Sequence, residues 1–187
     1  MTARHMQEFP PMDTAQHKPM TPHFSPTSQQ IQWNFARCQS KPVDVACAAF
    51  GGRIVSVTNQ HYGPAAQVIS PFPPIHMFDG LESARSRAPD HHEHVVIALG
   101  QPVQIGRIEI DFTYFVNNNP RELRIDGFSD GAWVPLMPQT QVKAYAGNVL
   151  VVPVHAPCVC SQVRVTCIPD GGMNRIRVYD STARDRP

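Results

Sequence analysis

Long apolar runs are absent from this chain of 187 residues. No stretch approaches the ~20 consecutive apolar residues of a membrane helix, and the opening Met-Thr-Ala-Arg-His-Met-Gln-Glu lacks the apolar core of a secretory signal. A block of one charge sign is also missing. The 16 basic and 15 acidic residues leave a formal charge of +1, so nothing in the charge pattern suits a membrane surface or a nucleic acid as partner. Cysteine is scarce and odd in number: Cys38, Cys47, Cys158, Cys160 and Cys167 form no tight disulfide framework. That usage fits a reducing compartment, and the expected location is the cytoplasm. Cys158 and Cys160 read as small strand residues or as metal ligands without a second pair.

Glycine is missing from residues 1–42, which instead carry Pro10, Pro11, Pro19, Pro22, Pro26 and Pro42. Without sustained helical or strand periodicity, this segment reads as an extended Pro-rich N-terminal arm. Phe9, Phe24, Ile31, Trp33 and Phe35 supply anchor points for packing it across the domain or a neighbouring subunit. The remainder, 43–187, is the expected folded domain, since a chain of this size buries a full core.

Helices of any length are likewise absent from that domain, and period-two alternation replaces them. Arg53–Thr58 alternates after Gly51-Gly52, and Val95–Leu99 is a short apolar run closed by Gly100. Residues 105–115 set Ile108, Ile110 and Phe112 against Arg107, Glu109 and Asp111, and 121–127 set Leu123 and Ile125 against Glu122, Arg124 and Asp126. Asp130-Gly131 then signals a hairpin into Ala132–Leu136, and 149–154, 162–168 and 175–179 complete about eight strands. The expected fold class is all-β, an antiparallel sandwich. The run from Gly127 to Leu136 resembles the strand-turn-strand of galactose-binding-like domains, which makes that sandwich a jelly roll.

The densest chemistry lies between Phe78 and Gly100. Asp79, Glu82, Arg85 and Arg87 come first, followed by Pro89, Asp90, His91, His92, Glu93 and His94 just before the apolar strand. A loop rich in titratable groups on a rigid strand is where sites are built. His92 and His94 share a face if the strand begins there, the only placement that favours a metal.

These segments also resemble the allantoicase family in order along residues 48–179. Val163-Arg-Val-Thr-Cys-Ile-Pro-Asp-Gly-Gly-Met-Asn-Arg-Ile-Arg-Val-Tyr179 is similar to that family's strand, Pro-Asp-Gly-Gly turn and Arg-x-Arg-Val strand. Asp79 to Arg87 resembles its Asp-Gly-Trp-Glu-(Ser/Thr)-Arg-Arg segment. Residues 110–120 resemble its strand ending in Phe-x-Gly-Asn-x-Pro, and 51–57 its first strand. The sequence departs from the pattern at Asn59, Gln60, Ala66, Leu81, Ala84, His94 and Asn117, and has room for one of the family's two repeats. A homo-oligomer is therefore expected to supply the surface between repeats.

The resemblance implies an enzyme acting at a C–N bond of a small ureido or similar polar acid: allantoate to ureidoglycolate and urea, or a related biosynthetic reaction. Such chemistry needs a cation for the carboxylate, an acid for the departing nitrogen and a base for water. Glu82, His92 and Glu93 are the candidate catalytic residues. Asp79, Arg85, Arg87, Asn118 and Asn119 are the candidate substrate-binding residues. No cofactor is expected, a divalent metal on His92 and His94 being the open alternative. Bland readings stand beside these: Asp79-Gly80 as a turn, Glu82 and Arg85 as a structural pair, Arg175 and Arg177 on the polar face of a sheet. The alternative function is a non-catalytic jelly roll that binds a small polar ligand.

Overall fold

The computed structural model describes residues 42–88, 90–143 and 149–181. The chain divides into two units, Met1–Ser40 and Lys41–Pro187. The expected arm lies, but for Pro42, outside the described residues.

Nine strands make up the described domain: β1 (Arg53–Val57), β2 (Leu81–Glu82), β3 (Glu93–Asp111), β4 (Glu122–Ser129), β5 (Ala132–Gln141), β6 (Val149–Pro153), β7 (Val159–Ile168), β8 (Gly172–Met173) and β9 (Arg175–Asp180). Three short 3-10 turns, Ala48–Phe50, Ala65–Ile69 and Met77–Asp79, are the helical elements among the described residues. The all-β expectation holds, and every strand pairing within the sheets is antiparallel.

β3 organises the sandwich. The sequence reads as two strands here, yet the chain forms one of 19 residues. Its first half joins β1 and β7 in a layer ordered β1-β3-β7-β4-β5. Its second half lies between β6 and β9, with Ile108 opposite Val152 on one side and Val178 on the other. The change of layer falls at a register shift between Ala98 and Val103, around Gly100 and Pro102, where a bulge and missing donor suit a bend. A side chain at Gly100 would sit 1.9 Å from the carbonyl oxygen of Phe50.

Alternation along the strands fills the core between the layers. Val95, Ile97, Ile105, Ile108 and Ile110 from β3 meet Leu123 and Ile125 of β4, Val163 and Val165 of β7, and Ile176 and Val178 of β9. Each such buried side chain contributes about 1.5–3 kcal/mol. Asp130 and Gly131 both take positive φ, 50° and 82°, as a two-residue hairpin turn requires. β5 runs on to Gln141 despite Pro135 and Pro138; it is an edge strand, where missing donors cost little.

Candidate functional site

The polar stretch enters the fold through the smallest sheet. β2 pairs with β8, setting Glu82 opposite Gly172. β8 follows the Pro169-Asp170-Gly171-Gly172 turn, whose Ile168–Pro169 peptide is cis. Gly171 has φ 141°, and a Cβ there would lie 2.4 Å from the nitrogen of Pro120; at Gly172 it would strike the Phe115 ring at 2.1 Å. Glycine is thus required for this turn to close on residues 118–120. Gly172 N–H donates to the Asn118 carbonyl at 2.7 Å, and Gly171 N–H donates to Ser83 Oγ at 3.0 Å.

A cleft of about 430 Å³ results, lined among others by Tyr62, Met77, Glu82, Arg85, Asn118 and Asp170. Asn118 Nδ2 donates to Glu82 Oε1 at 2.7 Å. Asp170 Oδ2 accepts the Ser86 N–H at 2.7 Å, so the turn also holds the segment that carries Arg85. The cleft joins a carboxylate, an amide and an exposed guanidinium, a set able to grip a carboxylate ligand and move a proton.

The other candidates are distributed differently. Asp79 pairs at 2.7 Å with Arg175, whose side chain is only 2% exposed. Arg175 Nε also donates to the Phe72 carbonyl and Nη1 to that of Asn174, both at 2.8 Å. Asp79 therefore acts as a loop anchor in this structure, and Arg175 is buried where the sequence suggests a polar sheet face. Arg177 pairs with Asp44 at 3.2 Å. Asn119 turns its amide to the carbonyl of Pro120 at 2.8 Å, away from the role read for it. Arg87 is exposed and lines neither this cleft nor the next.

Glu93 is buried at the start of β3. Its Oε1 lies 2.7 Å from His91 Nε2 and accepts from Asn59 Nδ2 at 3.2 Å. Burial pushes its pKa upward, but hydrogen bonds from Thr58, His91 and Asn59 outweigh it and hold the carboxyl below its ordinary value. Asn59 Oδ1 accepts the N–H of Ala84 at 3.1 Å, so Glu93 and Asn59 brace the loop from behind. His92 lines a separate cleft of about 270 Å³ with Asp90, His91 and Arg124. His94 lies beside it on β3; burial, then Arg164 and His92, keep its imidazole pKa below the ordinary value. No group of three or more His, Cys, Asp or Glu among the described residues is arranged to hold a metal.

Tyr62, Met77, Ser83 and Asp170 escaped the sequence reading. Asp170 had a signal, the Pro-Asp-Gly-Gly turn, which identifies the turn but not what it faces. Among the described residues, no helix is long and apolar enough to cross a membrane. Cys47, Cys158, Cys160 and Cys167 are free thiols, and burial pushes Cys160 and Cys167 up to about 12.

The family model of the allantoicase repeat matches residues 43–183. A probable allantoicase of Pseudomonas fluorescens (strain Pf0-1) is 31% identical over 157 residues, covering 78% of this chain and 47% of that protein. One from Schizosaccharomyces pombe is 30% identical over 149 residues, covering 75% and 44%. The crystal structure of allantoicase from Saccharomyces cerevisiae superposes with a TM-score of 0.69 at 31% identity, over 74% of this chain and 43% of that one. The chain thus spans about half the length of the relatives it matches. A family 32 carbohydrate-binding module from Streptococcus pneumoniae superposes at 0.57 with 14% identity, over 74% and 99%, which establishes the galactose-binding-like jelly-roll fold alone. With the repeat matched across the whole described domain, the chain belongs to the allantoicase family.

Proposed function

We propose that the Glu82 cleft binds a small ureido acid and hydrolyses its C–N bond, with allantoate as the first substrate to test. The observation that carries this reading is Glu82 held 2.7 Å from the Asn118 amide in a cleft that also presents Arg85. Arg85 takes the substrate carboxylate through a forked pair of hydrogen bonds. Asn118 orients Glu82 and offers its amide to a ureido carbonyl. Glu82 accepts a proton from water as the water oxygen replaces the urea nitrogen on carbon. The same carboxyl then returns that proton to the departing nitrogen, so urea leaves neutral and the acid is regenerated. His92 and Glu93, placed elsewhere, take no part in this scheme.

These roles need no cofactor; elemental analysis of protein prepared without chelator or affinity tag is expected to return no stoichiometric divalent metal. The free thiols support a reducing, cytoplasmic setting. We further propose that a second copy of the chain supplies the other repeat's surface, expected as a dimer or larger homo-oligomer by sedimentation equilibrium. Urea release from allantoate by the full chain is the direct test. Arg85→Gln is expected to lower kcat/KM about 100-fold, mainly through KM, as loss of a charged hydrogen-bonded contact predicts. Saturable allantoate binding without urea release would instead favour a binding module.

A further inference from the structure

The outer face of the five-stranded layer carries a second cleft, the one beside His92. Register places His94 of β3 opposite Thr166 of β7, and Thr166 opposite Arg124 of β4, in one cross-strand rung. Thr166 and Ile168 line the cleft from β7, Arg124 and Gln139 from β4 and β5, and Asp90, His91 and His92 from the loop before β3. Four buried side-chain polar atoms among the described residues lack a hydrogen-bond partner, and two of them belong to this rung: Thr166 Oγ1 and Arg124 Nε. Thr166 is only 2% exposed, and buried donors left unpaired cost about 1–3 kcal/mol each. Their usual explanation is a missing polar partner.

The neighbours say what charge that partner bears. Arg164 is held by Asp126, with Nε and Nη2 on Oδ2 at 3.2 and 2.9 Å, and its guanidinium lies 4.3 Å above the Trp133 ring. Arg124 Nε lies 3.3 Å from the same Asp126 oxygen but out of hydrogen-bond alignment. One carboxylate, Asp126, therefore serves two guanidiniums, so Arg124 keeps unused donors for an anion, although the cleft is also lined by Asp90. His94 beside it has its proton affinity lowered by burial first and then by Arg164, His92 and Arg124, against an opposing pull from Glu93. Gln139 donates to Glu122, and Ile168 contributes an apolar side.

We propose that this cleft is a second binding site, separate from the Glu82 cleft, for a small monocarboxylate. Its carboxylate accepts from Arg124 and from the Thr166 hydroxyl, and its apolar part lies against Ile168. The cleft volume of about 270 Å³ admits a molecule of a few to a dozen heavy atoms. N-acetylglycine is a suitable probe and N-acetylglycinamide its neutral control, titrated into the full chain while the arginine Nε–H and histidine ring resonances are followed by NMR. Saturable shifts are expected with the acid and none with the amide. Arg124→Gln should weaken binding at least ~10-fold and Thr166→Val ~3- to 10-fold, with Arg85→Gln leaving it unchanged. Thr166→Val should at the same time leave Tm equal or higher, because it removes a hydroxyl the fold does not use. Absence of saturation, sensitivity to Arg85→Gln in place of Arg124→Gln, or unaltered binding in a folded Thr166→Val protein would each overturn the site. Since Arg85→Gln affects turnover only in the first cleft, the two readings fail separately.

Discussion

Asp79 and Glu82 lie one short turn apart and are held in opposite ways. Asp79 faces a guanidinium that is 2% exposed, an ion pair that ties its loop to β9. Glu82 is held by a neutral amide at the edge of an open cleft. Glu93, the fourth acid of the stretch, is also tied down: its hydrogen bonds favour the charged form. A general acid–base group must be positioned within reach of its substrate, and among these three only Glu82 lines the open cleft that Arg85 and Asn118 share.

The largest effect expected from breaking this contrast is at the anchor. Arg175→Met removes the cation, strips Asp79 of its ion pair and takes a donor from the Phe72 and Asn174 carbonyls, and should cost about 3 kcal/mol in denaturant unfolding. Glu82→Gln keeps the shape and the contact to Asn118 but cannot carry a proton. It should lower kcat for urea release about 100-fold or more while the unfolding midpoint stays put.

Glu93→Gln should cost about 1–2 kcal/mol at pH 7 and little turnover beyond what loop loosening causes. Its pH dependence sharpens the assignment. A carboxyl whose folded pKa lies below the ordinary 4.5 stabilises the fold above that value and loses the contribution as pH falls through the lowered one. The parent should therefore destabilise in acid more steeply than Glu93→Gln. The smallest effect belongs to His94. Its folded pKa lies below 6.5, so the unfolded chain binds the proton more readily and stability falls as pH drops below about 6.5. His94→Gln should flatten that decline, by well under 1 kcal/mol, in thermal melts between pH 7 and 5.

Local chemistry was readable where it acts over a few residues. Asp130-Gly131 named its hairpin because only such residues accept two successive positive φ values. The alternation of Leu123 and Ile125 with Arg124 and Asp126 assigned inner and outer faces correctly. β3 was read as two strands because Gly100 and Pro102 punctuate it, and a sequence does not reveal that the strand continues through the register shift there. β2 and β8 have two residues each, too few for any periodicity, and exist because Glu82 meets Gly172 from far along the chain. The site suffered similarly: Glu82 and Asn118 were both named, but their contact depends on the glycine turn between β7 and β8. Arg175 is buried where a polar sheet face was expected, and His92 lines a different cleft from Glu82, for a common reason. What a polar residue faces is set by distant strands, not by its neighbours in sequence.

β3 also imposes an order in time. Its second half is completed only by β6 and β9, and the Glu82 cleft waits for the turn that leads into β8 and β9. From the completion of β3 until β6 and β9 emerge, a chain leaving the ribosome therefore holds a half-covered β3, with Ile108 and Ile110 open on both edges. Pairings of such long sequence separation form slowly, and an uncovered apolar strand is where nascent chains associate wrongly. Chains stopped before residue 172 should have no Glu82 cleft and should depend on chaperones to stay in solution.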